Sequence, residues 1–294
     1  MLYLRSFEFP DEDDETGYIV AEKKRVYNTF YPFKVLSGRG VRHLTFSPIT
    51  ILYGGNGSGK TTALNVMAEK LALQRDALFN RSHCFMDYVS MCRCETRTVP
   101  QESRIITSDD VFDFMLDLRA MNEGIDRRRQ EVFEEYLSAK YADFHYRTLE
   151  DFDRLKAVNH ARRVTMSRFT RENLMGNLRE QSNGESAFFY FTSRIKENGL
   201  YLLDEPENSL SPQRQMELAR FMDDSARFFG CQFVVSTHSI FLLSLRDARI
   251  YDLDADPARV RKWTGLPAVR AYWDFLSAHR EEIEGDEGYD GAED

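Results

Sequence analysis

Apolar and polar residues alternate from Leu2 to Phe9, the two-residue period of a strand with one covered face. The acid-rich stretch Pro10–Gly17 then reads as a turn, and Tyr18–Val20 as its returning hairpin partner. Val41–Phe46 and Ile49–Tyr53 are dense in strand formers, and a glycine-rich turn follows at Gly54–Gly59. From Thr61 to Leu73 the period lengthens, with Leu64, Met67, Ala68 and Leu71 on one helical face. The middle of the chain, from Asp109 to Leu178, is charged and helix-prone. One stripe there joins Val111, Phe112, Met115 and Leu118, and another joins Phe133, Tyr136 and Leu137.

After Gln181 helices and strands alternate. Ser186–Ile195, Pro212–Phe229, Ile240–Leu245 and Ala268–Glu282 read as helices. Gly199–Leu203, Gln232–Ser236 and Arg249–Leu253 read as strands. Such alternation predicts an α/β fold with a mostly parallel sheet covered on both faces, an antiparallel N-terminal β part and a helical insertion. The pattern divides the chain into an N-terminal part (1–108), a helical insertion (109–180), a C-terminal part (181–280) and an acidic tail (281–294) expected to be disordered.

Composition narrows the function classes. There are 48 acidic and 39 basic residues, for a net charge of −9. Eight of the acids lie between Glu281 and Asp294, so the rest of the chain is close to neutral and advertises no general polyanion-binding surface. Arg127–Arg129 and Arg162–Arg171 are locally basic. They read first as solvated helix faces and second as a nucleic-acid or partner surface. No repeat marks a solenoid, no apolar run approaches a membrane span, and the N-terminus has no apolar leader core. The expectation is a cytoplasmic protein with reduced thiols. Cys84, Cys92 and Cys94 lie near His83 without paired C-x-x-C spacing, and read as packing residues rather than metal ligands.

The turn Gly54-Gly55-Asn56-Gly57-Ser58-Gly59-Lys60-Thr61 fits G-x-x-x-x-G-K-[ST], set between an expected strand and an expected helix. Glycines let the backbone wrap a phosphate with its N–H groups turned inward, and the helix that follows adds its positive N-terminus. Gly54, Asn56, Gly57, Ser58, Gly59, Lys60, Thr61 and Thr62 are therefore candidate nucleotide ligands. Lys60 would reach the β- and γ-phosphates, and the Thr61 hydroxyl would ligate Mg²⁺. The apolar run Leu200–Leu203 ends in Asp204-Glu205, suiting Asp204 to Mg²⁺ and Glu205 to a general base acting on water. His238 follows the strand Gln232–Ser236 closely enough to bond the γ-phosphate or the attacking water.

Taken in order, the phosphate loop, Ser182-Asn183-Gly184-Glu185, Asp204-Glu205-Pro206, Ser209-Leu210-Ser211 and His238 resemble an ABC-type ATPase. The resemblance is to stand-alone bacterial AAA-family ATPases related to SMC-type and recombination-repair heads. It implies a P-loop NTPase of ABC-ATPase head type, with ATP and Mg²⁺ as ligands. It implies that Ser182 and Gly184 act on the nucleotide of a second chain, in an ATP-dependent homodimer or higher oligomer. In that segment Asn183 replaces the usual first glycine and Glu185 replaces glutamine, as in SMC-like heads, and two departures stand out: Ser211 occupies a place normally held by aspartate, and the glutamine loop is not clear. The glutamine of the family's glutamine loop is matched best by Gln101, with Gln74 as the other candidate, and the adenine-stacking aromatic is open among Tyr31, Phe33 and others. The middle segment is too short and irregular for SMC arms.

The implied activity is ATP hydrolysis gating a dimer switch, in DNA repair or in a defence module with a nuclease or toxin partner. Nucleic acid stays open as a partner, and no membrane is expected. Alternatives are the nucleotide-binding subunit of a transporter and a non-hydrolysing scaffold.

Overall fold

The computed structural model describes residues 2–22, 29–140 and 183–285. The chain separates into a larger unit, Met1–Val111 with Asn183–Asp294, and a smaller one, Phe112–Ser182. In the larger unit, β1 (Leu4–Glu8) pairs antiparallel with β2 (His43–Thr45) on one side and β4 (Arg93–Thr96) on the other. A second sheet has the order β5 (Arg104–Thr107), β6 (Leu200–Asp204), β7 (Gln232–Ser236), β3 (Ile49–Tyr53), β8 (Arg249–Asp252) and β9 (Arg259–Arg261). Its pairs are parallel except the last, β8 with β9. Strands β3, β6 and β7 are buried at every position, as strands covered on both faces must be.

The helix after the glycine turn, α2 (Lys60–Lys70), has eight buried residues and packs on β5, β6 and β7. It joins Phe7 and Leu44 of the small sheet, Phe9 and Phe46 just past its strands, and Phe85 and Tyr88 of α3 (Phe85–Met91), in one apolar cluster. Cys84 and Cys92 are buried in that cluster. Two polar side chains tie the sheets together. Gln232 at the start of β7 accepts from the amides of Tyr3 and Leu4 at 2.8 and 2.9 Å and donates to the Leu4 carbonyl at 2.8 Å. The Tyr251 hydroxyl accepts from the Thr45 amide and donates to the Thr45 carbonyl.

Three expectations are corrected here. Pro10–Gly17 and Tyr18–Val20 are not a turn and hairpin strand but α1 (Glu12–Glu22). Its start is capped by the Asp11 carboxylate, which accepts from the Asp14 amide at 2.9 Å. The acids counted as turn formers sit in the first helical turn, where the helix dipole favours them. Phe112 is exposed rather than part of the buried stripe, because α4 (Ser108–Lys140) buries Val111 and Met115 and position 112 lies ~100° around from 111. The last helix is not continuous: α8 (Pro267–Ala278) ends at His279 and α9 (Arg280–Gly285) follows. In the smaller unit, Val132 and Tyr136 of α4 are buried. The basic run Arg162–Arg171 lies outside the described residues, as does the tail beyond residue 285.

Among the described residues, the other α-helices are α5 (Asn183–Arg194), α6 (Pro212–Phe228) and the short α7 (Ile240–Leu243). Serine caps α6 and α7: the side chains of Ser211 and Ser239 accept from amides three residues on.

Candidate nucleotide site

Parallel register brings the carboxyl ends of three strands level, with Asp204 opposite Ser236 and Leu52 opposite Ser236. In an open α/β sheet such an edge is where ligands bind, because loops and helix N-termini converge there. The phosphate loop leaves β3 at this edge. Gly57 and Gly59 take φ of +76° and +93°, values that need glycine. A side chain at Gly54 would stand 2.7 Å from Ser58 Oγ, so the loop closes only without one.

Lys60 is 4% exposed, and its Nζ donates to the carbonyls of Gly54 at 2.7 Å and Gly55 at 3.1 Å. Burial lowers its pKa from the usual lysine value, while Glu205 and Asp204 oppose that shift. Glu205 Oε1 lies 3.9 Å from Nζ and 3.6 Å from His238 Nε2. Asp204 Oδ1 accepts from Thr61 Oγ1 at 3.2 Å and from the Ser236 hydroxyl. Burial raises the Asp204 pKa, and those two hydrogen bonds pull it back down. Glu205 holds φ +47°, a left-handed backbone that a residue with a side chain adopts at a cost of about 1–3 kcal/mol. Its amide donates to the Ser236 carbonyl at 3.0 Å, and its Oε2 accepts from Asn208 Nδ2 at 3.0 Å. Adjacent residues here do not simply alternate along a strand. The left-handed turn after Asp204 is what turns Glu205 toward Lys60 and His238.

The site residues are thus brought together unevenly. Lys60, Thr61, Asp204, Glu205 and His238 share one edge. Thr62 is buried and exchanges a hydrogen bond with Tyr31 Oη at 3.2 Å, whereas Asn56 and Gly57 are exposed. Gly184 near the start of α5 has Ser209 O and Ser211 N within 4 Å of an added Cβ, and no atom of the phosphate loop in that range. Glu185 Oε1 accepts from Arg214 Nη2 at 3.2 Å. Ser182 lies outside the described residues. Gln101 and Gln74 are corrected as glutamine-loop candidates. Gln101 precedes β5 and Gln74 bridges to its first residue, so both stand at the amino end of the sheet, away from Lys60. Thr107, opposite Asp204 in the register, ends β5 at the nucleotide edge instead. Phe33 is 5% exposed, stacked on Tyr18 at 4.6 Å and edge-on to Tyr88, which leaves it no free face.

Three residues of the site escaped sequence reasoning. Ser236 is the last residue of β7 and bonds Asp204. Glu207 is the third acid of Asp204-Glu205-Pro206-Glu207. Its Oε1 accepts from the amides of His238 at 2.5 Å and Ser239 at 3.2 Å, so it clamps the histidine loop to the turn after β6. Burial raises its pKa, and the His238 amide opposes that. Asp254 follows β8 and accepts from the Gly55 amide at 2.6 Å. The available signal was position alone: each stands at or just past the carboxyl end of an apolar run.

The donor set fits a triphosphate with a hard divalent cation. Among the described residues Ser58 Oγ is buried without a hydrogen-bond partner beside the glycine backbone, as an oxygen reserved for a ligand would be. Thr61 and Asp204 offer paired hard oxygens of the type Mg²⁺ prefers.

Residues 80–244, more than half of the chain, match the family model described as AAA domain, putative AbiEii toxin, Type IV TA system. The chain belongs to this AAA-domain family. The matched span holds the Asp204–Glu207 turn and His238, and the phosphate loop of this AAA-domain protein lies just ahead of it. No curated protein matches the chain. Among solved structures, a nucleotide-free ATP-binding cassette from an ABC transporter is 15% identical, covers 93% of this chain and 96% of its own, and has a TM-score of 0.44. The SMC head domain from Thermotoga maritima is 14% identical over 89% of this chain and 99% of its own, with a TM-score of 0.38. An Smc head domain from Pyrococcus furiosus, bound to the C-terminal domain of ScpA, is 14% identical over 95% and 100%, with a TM-score of 0.40. Among the described residues no helix is long and apolar enough to cross a membrane.

Proposed function

We propose that this AAA-domain protein binds and hydrolyses ATP, and that nucleotide closes it into a head-to-tail dimer that hydrolysis reopens. The observation that carries the reading is the convergence of Lys60, Thr61, Asp204, Glu205 and His238 on one sheet edge, with Thr61 Oγ1 3.2 Å from Asp204. Thr61 and Asp204 would hold Mg²⁺, which when bound supplies charge neutralisation on the phosphate oxygens. Gly54 to Thr62 cradle the β- and γ-phosphates through backbone N–H groups, and Lys60 exchanges its loop carbonyls for phosphate oxygens. Glu205 accepts the proton of the attacking water, and His238 orients that water against the γ-phosphate. Glu207 keeps His238 within reach of Glu205 by holding the amides of 238 and 239. Ser182 and Gly184 act on the nucleotide of the second chain. Tyr31, hydrogen-bonded to Thr62 at the start of the phosphate helix, is the aromatic assigned to adenine.

The family description names a toxin of a toxin–antitoxin system. That wording supports a switch that gates an effector, a nuclease or toxin partner, over one that serves transport. ATP turnover of the wild type, Lys60→Ala and Glu205→Gln tests the chemistry, and light scattering of Glu205→Gln with and without Mg-ATP tests the switch. Equal turnover in all three proteins overturns the assignment of the site. A Glu205→Gln protein that is still monomeric in Mg-ATP overturns the dimer.

A further inference from the structure

Helix α8 leaves the body of the larger unit with its apolar stripe uncovered. Tyr272, Trp273, Phe275 and Leu276 are 52%, 64%, 61% and 49% exposed, and Ile283 of α9 is 55% exposed. No residue of α8 or α9 is buried. Their spacing is that of a helix that lies in a groove, with anchors at i, i+3, i+4 and i+7 from Val269. The root of the helix is fixed. Leu266 is fully buried, and the Ala268 amide donates to Tyr53 Oη at 3.3 Å. The stripe therefore stays exposed unless something else covers it.

A matching groove exists on the same unit. Between α6 and α7 lies a cleft of about 500 Å³, lined by the apolar Met216, Ala219, Phe241 and Leu245 and by Arg220, Arg246 and Asp223. A third lining cation, Arg227, is already held by Asp223 at 2.9 Å. The far end of the exposed helix pair carries the complementary charge in Glu281 and Glu282. Apolar stripe meets apolar lining, and acid meets arginine, when the two features come from different copies.

We propose that α8–α9 of one chain docks into the α6–α7 groove of a second copy, without nucleotide, and that the second copy returns the same contact. Reciprocal docking of this kind closes a two-fold dimer rather than an open fibre. The area is adequate. Three aromatic rings bury ~150–250 Å² each when fully covered, so two half-exposed helices seated in two grooves remove roughly 1,400 Å² from water, within the standard range of stable interfaces. None of the residues involved belongs to the nucleotide site, so this contact stands or falls apart from ATP-driven closure.

Sedimentation of the nucleotide-free full chain over a wide concentration range tests it. The wild type is expected to associate to a dimer. Trp273→Glu with Leu276→Glu, and separately Arg220→Glu with Arg246→Glu, should each raise the dissociation constant at least ~30-fold. Every side chain changed is exposed or half-exposed, so the thermal midpoint should not move. Mixing the two variants should recover association in part, because one of the two reciprocal contacts then joins an intact helix to an intact groove. A wild type that stays monomeric overturns the proposal. So does a groove variant that associates like wild type while the helix variant does not, since the helix would then be pairing with something other than the groove. A mixture that associates no better than either variant alone overturns it as well.

Discussion

The two ends of the parallel sheet are built on opposite terms. At the amino end, buried polar side chains close onto the backbone. Gln232 bonds Tyr3 and Leu4, the Tyr201 hydroxyl exchanges bonds with the amide and carbonyl of Lys196, and Ser103 accepts from the Leu200 amide. At the carboxyl end, a lysine and three acids crowd together. Among the described residues, Ser58 Oγ and His238 Nε2 are buried there without hydrogen-bond partners. Burying a polar group unpaired costs about 1–3 kcal/mol, more for a charged one. The first end therefore stabilises the fold, and the second sacrifices stability for groups aimed at a ligand. The rule is not exclusive: among the described residues Arg75 Nη1 is also buried without a hydrogen-bond partner, and burial of Glu15 beside Tyr88 holds its pKa above the ordinary range.

Substitutions at the two ends should separate activity from stability. The largest effect is expected from Glu205→Gln, which should lower ATP turnover by about 10²–10⁴ with nucleotide binding retained. Its thermal midpoint should stay near wild type; a collapse of stability there would erase the contrast. Gln232→Ala is the counterpart. It strands three buried backbone groups and should cost about 3 kcal/mol in urea unfolding, with turnover per folded molecule unchanged.

Glu207→Gln should come next. The amide keeps one acceptor for the His238 loop but loses the charge, so turnover should fall about 10-fold while KM for ATP and the thermal midpoint hold. That factor corresponds to ~1.4 kcal/mol in the barrier. A fall in stability that matches the fall in rate would make Glu207 a structural clamp only.

Asp204→Asn should show the smallest effect on stability, and of opposite sign. The Asp204 pKa is raised on folding, chiefly by burial. A carboxyl with a raised folded pKa contributes stability below its unfolded value and loses it as pH rises through the folded one. At pH 7 the wild type has lost that contribution and the asparagine variant has not. The variant should be more stable by about 1 kcal/mol at pH 7, with the gap closing near pH 4, while turnover disappears. Urea midpoints at the two pH values check this, and a gap that widens on acidification would reverse the assigned sign.

Much of the site was legible because its chemistry sits in contiguous strings. Gly54–Thr61 and Leu200–Glu205 each carry their own strand, turn and functional groups, so local pattern was enough. The α/β rhythm from Ser186 to Leu253 was equally readable, since strands covered on both faces appear as unbroken apolar runs. Residues that act singly were not readable. Ser236, Glu207 and Asp254 have no motif, and their roles exist only because three strand ends meet. Edge strands β4 and β5 were missed for a related reason: Arg93–Thr96 and Arg104–Thr107 are short and carry charge, so neither shows a period. The acids of α1 were misread because the same residues favour turns and helix starts, and the composition alone does not separate the two.

By itself the sequence determined the phosphate loop, the acid pair, the α/β class and the residue types the chemistry requires. These follow from short-range rules of backbone freedom, charge and hydrophobic period. Tertiary structure alone decided which groups face one another. It turned Glu205 through a left-handed bend toward Lys60, clamped the His238 loop with Glu207, and put both candidate glutamines at the wrong end of the sheet. It also left α8 bare. The physical reason is register: parallel pairing lines up positions more than 100 residues apart to within a few ångströms, and no local pattern along the chain encodes that alignment.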